Sequence, residues 1–312
     1  MTTERYLEEW RTAELITAEQ HALLVALVRK QRFSIFLELN ALLYIGVVAV
    51  AAGIGWTVRE HFARAGDVAV IVTLTAGFAA CLWYCFSRGL PYSTSQVAAP
   101  TYAFDYVLYL GCLIFAAEVA YVEYRYQLLG VDWHYDLLAS AALYLWLAYR
   151  FDNRFVLSLA LSTLAGWFGV KFSGATFLAG SLRDIAVAYG VAVGGAGAVL
   201  RQLGIKPHFY ESYLHVAANA ILFGLASETL NRPNPWSLAL LVIASGLVIE
   251  RGVRFRRFAF VVYGALYGYV GVSAQALDVL HGETRVLVYF AVSAVMVVAG
   301  LIVVARQFGR EE

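Results

Sequence analysis

Charged side chains are scarce in this chain: Asp, Glu, Lys and Arg make up 14% of its 312 residues, where a soluble domain carries about 25%. That is too few to clothe a water-facing surface of this size. Cysteine is nearly absent too. Cys81, Cys85 and Cys112 are the only three, and each lies inside an apolar run. An odd count in such surroundings argues against a disulfide framework or a zinc site, and the three read as small apolar packing residues. The net charge is +1, so no overall field draws in nucleic acid, and no nucleic-acid partner is expected. There is no phosphate-cradling glycine loop, nucleophile elbow or paired-histidine metal motif. No enzyme activity, metal or cofactor is therefore expected. Long polar loops are also missing. The longest, about residues 87 to 101, is a turn-rich stretch carrying Gly89, Pro91 and Pro100, so any chemistry belongs to the apolar part of the chain or its rims.

What is present is apolar sequence, 61% of the whole. Beyond a polar preface, ten apolar runs follow, at about 33–57, 68–86, 102–122, 135–150, 155–171, 184–201, 209–228, 236–250, 258–277 and 285–305. About 20 helical residues cross a bilayer core. The expected fold is therefore all-α, a polytopic transmembrane helix bundle of about ten spans, with a short cytoplasmic helical hairpin in front. The division is residues 1–32 as amphipathic preface, 33–305 as bundle and 306–312 as a cytoplasmic tail. The runs that flank Asp152-Asn153-Arg154 are joined so tightly that they form either a hairpin or one broken element. The first run starts only after a stretch rich in glutamate, so it is expected to stay as an anchor rather than be cleaved as a signal peptide.

Lys and Arg resist translocation and collect on the cytoplasmic side. With the N-terminus inside and ten crossings, 16 of them fall inside and 7 outside. Both termini are predicted to be cytoplasmic. Tyr121, Tyr124, Tyr126, Trp133, Tyr135 and Trp236 fall near the expected interfaces, as in an anchoring belt.

In the preface, residues 4–30 read as two short helices with a break near Ile16-Thr17. Thr17 is placed to cap the second, with Glu19 at its positive end. Trp10, then Leu15-Ile16-Thr17-Ala18-Glu19-Gln20, a basic cluster at Arg29-Lys30-Gln31-Arg32, and a first span ending Ala52-Gly53-Ile54-Gly55-Trp56 carry a resemblance. The order resembles a family of uncharacterised bacterial multi-pass membrane proteins, a domain of unknown function with a short amphipathic helical N-terminal region. The resemblance implies a polytopic protein of the bacterial inner membrane. It brings no catalytic residue.

Polar groups inside spans are costly and so face a cavity or a partner. Glu38 and Asn40 lie early in the first span and Asp105 early in the third. Glu211, His215 and Asn219 follow one another at four-residue spacing in the seventh, on one helix face. The expected depths place Glu38, Asn40, Asp105, Glu211, His215 and Asn219 in one polar layer in the cytoplasmic third of the bundle, a candidate ligand site. The competing reading makes Glu211 a snorkelling interface residue, with His215 and Asn219 as hydrogen-bonding glue between helices. Arg251, Arg254, Arg256 and Arg257 are candidate ligands for an anionic lipid head group, or plain topogenic charge.

Gly190 and Gly194 in the sixth run, and Gly264 and Gly268 in the ninth, have the small-residue spacing that lets helices approach closely. They serve packing within the fold, or contacts with membrane-protein subunits or a second copy of the chain. Gly190 to Gly197 could alternatively form a broken helix of the kind transporters use. Two functions follow as expectations. One is a non-enzymatic carrier or binding protein for a small solute or lipid, using the polar layer. The other is an accessory subunit of a larger membrane complex. The lipid bilayer is a partner in both.

Overall fold

The computed structural model describes residues 3–13, 15–21, 66–97, 100–172, 181–231, 234–280 and 282–310, with the single residues 46, 49 and 53. The first apolar run, with Glu38 and Asn40, lies outside the described residues. All regular structure among them is helical: α1 (Thr3–Thr12), α2 (Asp67–Arg88), α3 (Tyr102–Tyr126), α4 (His134–Phe151), α5 (Arg154–Phe172), α6 (Leu182–Gln202), α7 (Tyr210–Asn231), α8 (Pro235–Arg254), α9 (Phe258–Val279) and α10 (Glu283–Arg310), with two short 3-10 turns. The other nine apolar runs each fall on one of the helices α2 to α10. Among the described residues, seven helices are long and apolar enough to cross a membrane, namely α2, α3, α5, α6, α8, α9 and α10. The protein is thus a multi-pass membrane helix bundle. Helices α4 and α7 are of similar length but interrupt their apolar faces with His134, Asp136, Glu211, His215 and Asn219.

The chain forms two compact units, Met1–Tyr44 with Leu287–Glu312, and Ile45–Val286. In the first, α1 ends at a turn in which the Leu15 N–H donates to Trp10 O (2.9 Å). Thr17 then caps the next helical turn, and it does so reciprocally. Its hydroxyl accepts from Gln20 N (3.2 Å), while the Gln20 side chain accepts from Thr17 N (2.9 Å). This is a capping box, which satisfies two of the free N–H groups at a helix start. Helix α10 presents most of its valines and leucines outward, Leu287 and Val295 among them. A helix apolar all round and exposed in this way suits lipid, not water.

In the second unit, consecutive helices pair as hairpins: α2 with α3, α4 with α5, α6 with α7, and α8 with α9. Helix α7 is the common neighbour, packed on α5, α6, α8 and α9. The α4–α5 connection is a hairpin, not one broken element, and two residues make it. Asp152 takes a left-handed backbone (φ 58°) that ends α4, with the Asn153 N–H donating to Ala148 O (3.0 Å). The Asn153 side chain then accepts from Val156 N (2.8 Å), capping α5.

Cys85 and Cys112 are fully buried free thiols in the main core, beside Phe104, Tyr144 and Phe151, as packing residues. Tyr124 and Trp236, expected in an interfacial belt, are strongly exposed at helix ends.

The glycine faces are occupied within the chain. A Cβ on Gly190 would come within 2.8 Å of Ala217 O, and one on Gly194 within 3.3 Å of the Ala217 side chain, both on α7. Gly264 lies against Ser245 and Ile249 of α8, and Gly268 against Ser245. These spacings set hairpin packing. Helix α6 runs unbroken from Leu182 to Gln202, so the broken-helix alternative for Gly190 to Gly197 is not the one adopted.

Candidate functional site

The three polar residues of α7 stay together, and Asp105 goes elsewhere. On α7, the Glu211 carboxylate meets Arg257 Nη1 at 3.1 Å, and His215 Nε2 lies 3.8 Å from the same oxygen. The second distance is too long for a hydrogen bond. The His215 ring stacks nearly flat on Phe260 of α9 (centroids 4.5 Å apart, planes 12°) and meets the edge of Tyr263. Its Nδ1 is buried without a hydrogen-bond partner among the described residues. Asn219 Nδ2 donates to His215 O one turn back (2.9 Å). Arg257, expected as a head-group ligand, is thus also the partner of Glu211. Arg251 and Arg254 both lie over the Phe255 ring, 4.8 and 5.9 Å from its centroid, and Arg256 sits in the α8–α9 turn with left-handed backbone (φ 54°).

His215 and Asn219 line a cleft of about 550 Å3 between α5, α6, α7 and α9. The rest of its wall is mainly aliphatic and aromatic, including Ala165, Phe168, Ile185, Phe223 and Tyr267. Its volume falls within the range of small-molecule sites, about 300–1,000 Å3. An apolar wall with a few convergent polar atoms suits a mostly apolar molecule that carries one hydrogen-bonding group.

Asp105 instead accepts a hydrogen bond from Asn153 Nδ2 (2.8 Å), at the base of a polar clasp that closes one end of the bundle. The centre of the clasp is Asp152. Its Oδ2 accepts from Val97 N in the α2–α3 loop and lies 3.1 Å from Lys206 Nζ, while its Oδ1 meets His208 Nε2. The side chains of Asp152 and Lys206 are 2% and 1% exposed. Lys206 also adopts left-handed backbone (φ 44°), a conformation that costs roughly 1–2 kcal/mol for a residue with a Cβ. Its N–H donates to Thr94 O (2.9 Å), and its ammonium lies 5.3 Å from the Tyr92 ring centroid. Arg150 Nη1 donates to Leu90 O (2.8 Å). One carboxylate therefore ties together the α2–α3 loop, the α4–α5 turn and the α6–α7 connection. Sequence reasoning noticed Asp152-Asn153 only as a tight turn and Lys206 only as topogenic charge. The one available signal was a lysine just before Pro207 and His208, in a connection too short to leave its charge far from a helix end.

The opposite end is held by a simpler pair. Asp67 at the start of α2 accepts from Tyr121 Oη (2.9 Å) and pairs with Arg125 Nε (2.6 Å) at the end of α3.

Residues 8–157 match a family described as Predicted membrane protein (DUF2157). The chain is similar to that family over the preface and the helices up to the first turn of α5. Every residue lining the cleft lies beyond the matched stretch. No curated protein and no solved structure matches the chain.

Proposed function

We propose that this protein is a membrane-embedded binding protein or carrier for a small amphiphilic solute or lipid, with His215 and Asn219 as the polar anchor of its site. The observation that carries the reading is the cleft: about 550 Å3, mainly apolar, and lined by an imidazole whose Nδ1 has no hydrogen-bond partner among the described residues. An unsatisfied buried nitrogen costs about 1–3 kcal/mol. A ligand hydroxyl or carbonyl, according to the tautomer, offsets that cost once a small shift of the surrounding side chains admits it to this nitrogen. Stacking on Phe260 and the edge of Tyr263 hold the ring in place before the ligand arrives. Glu211 lies one turn away and is paired with Arg257 instead of binding ligand. Asp105 supports the clasp and is not part of this site.

The distribution of cations supports an orientation. Arg88, Arg150, Arg154, Arg201, Lys206 and the four arginines around the α8–α9 turn gather at the end that Asp152 closes. The proposal places this end on the cytoplasmic side of a bacterial inner membrane. The clasp then lies at the cytoplasmic face, while the cleft lies among α5, α6, α7 and α9.

The test is native mass spectrometry of the protein extracted from its own membrane in a mild detergent, with His215→Ala and Asn219→Ala beside the wild type. A discrete small molecule or lipid bound to the wild type and lost from both variants, with circular dichroism unchanged, is the expected result. Equal retention by all three proteins would remove the site.

A further inference from the structure

A second cavity, of about 380 Å3, lies between α3, α4 and α5 and reaches the end of the bundle opposite the clasp. It shares no lining residue with the His215 cleft. Its wall changes character along its length. Leu113, Ala116, Leu137 and Leu159 line an apolar shaft. Glu123 and Asp136 stand at its mouth with Tyr124 and Trp133. Glu123 follows Leu113 by ten residues on α3, about 15 Å along the helix axis.

Among the described residues, neither carboxylate at the mouth is paired with a cation. Glu123 accepts from the backbone N–H groups of Leu129 (3.0 Å) and Gly130 (2.8 Å), which fix its carboxylate in place. The Asp136 carboxylate has neither a hydrogen bond nor an ion pair among the described residues. Among the described cations, Arg125 is paired with Asp67, and Lys171 donates to the Tyr135 hydroxyl (3.0 Å) and pairs with neither Glu123 nor Asp136. Within the shaft, the Ser140 side chain is 6% exposed, and its hydroxyl has no partner among the described residues. Two carboxylates facing one cavity repel each other, and a cation between them turns that repulsion into attraction. Indole and phenol faces add a further attraction for a positive head group. An inorganic ion would leave the apolar shaft unfilled.

We infer that this cavity binds an organic cation with an apolar tail, its ammonium head between Glu123 and Asp136 beside Trp133 and its tail in the α3–α4–α5 shaft. The inference is independent of what occupies the His215 cleft.

The experiment is isothermal titration of the full chain in nanodiscs of zwitterionic phosphatidylcholine, with three probes: hexyltrimethylammonium, tetramethylammonium and uncharged hexan-1-ol. Protein-free nanodiscs supply the partitioning background. Saturable binding is expected for hexyltrimethylammonium, tenfold or more tighter than for tetramethylammonium, with none for hexan-1-ol. Asp136→Asn removes a charge with no partner among the described residues and is expected to weaken binding about tenfold, a change of about 1.4 kcal/mol, with an unchanged melting temperature. Absence of saturable binding to the wild type, equal binding of the alcohol, or undiminished affinity in Asp136→Asn would each overturn the proposal.

Discussion

Asp152 and His215 are both polar residues set among apolar helices, and the structure treats them in opposite ways. Around Asp152 every group is answered: Lys206, His208 and Val97 N surround one carboxylate, and the Asn153 side chain both caps α5 and holds Asp105. Around His215 the ring is fixed by stacking and lines the cleft, yet its buried Nδ1 has no hydrogen-bond partner among the described residues. A polar network that is complete in itself belongs to the architecture, because a ligand has nothing left to satisfy. One that is rigid but incomplete is organised for something else to complete it.

The sharpest way to break this comparison is at the clasp. Asp152→Ala leaves the Lys206 ammonium buried and unpaired, and loss of one member of a buried pair costs about 3–5 kcal/mol. Thermal unfolding in detergent should show a large fall in melting temperature. A variant as stable as the wild type would mean that the clasp is not the closure described here. Next in size is the α6–α7 seam. A Cβ on Gly197 would lie 2.9 Å from the Tyr213 ring, so Gly197→Val should cost about 1–3 kcal/mol by overpacking, read by the same assay. An unaffected melting temperature would contradict the close approach of the two helices.

His215→Ala is predicted to act in the reverse sense from Asp152→Ala, with little effect on folding and a large effect on occupancy of the cleft. It should lower stability by about 1 kcal/mol through loss of the stack on Phe260, while abolishing retention of the co-purifying ligand. A stability loss as large as that of Asp152→Ala would place His215 with the architecture. The smallest effect is expected of Arg257→Ala. Its side chain is 56% exposed, and a pair so open to solvent contributes less than about 1 kcal/mol.

Much of the bundle was legible because an apolar run of bilayer length has few alternatives to a helix. The small-residue spacing of Gly190 and Gly194 likewise announced a close helix contact, though not that α7 of the same chain would fill it. Four-residue spacing put Glu211, His215 and Asn219 on one face, and two of the three line the cleft. The rest was hidden for physical reasons. Depth along a span says nothing about which helices are neighbours, so Asp105 was grouped with α7 although its partner is Asn153. Lys206 and Asp152 are far apart in sequence and meet only because two hairpins pack side by side. Gln20 carries part of the resemblance in the sequence, and its side chain completes the Thr17 capping box.

The most direct test of the central claim uses photo-crosslinking from inside the cleft. Phe223 lines it and is partly exposed, while Leu240 on α8 is exposed on a face that the bundle reading gives to lipid. With benzoylphenylalanine at either position, the protein is irradiated in its native membrane and adduct masses are measured. A single discrete adduct at position 223, abolished by His215→Ala and distinct from a heterogeneous lipid pattern at position 240, is the predicted result. The same mixed lipid adducts at both positions, unchanged by His215→Ala, would show that the cleft is merely part of the lipid-facing surface.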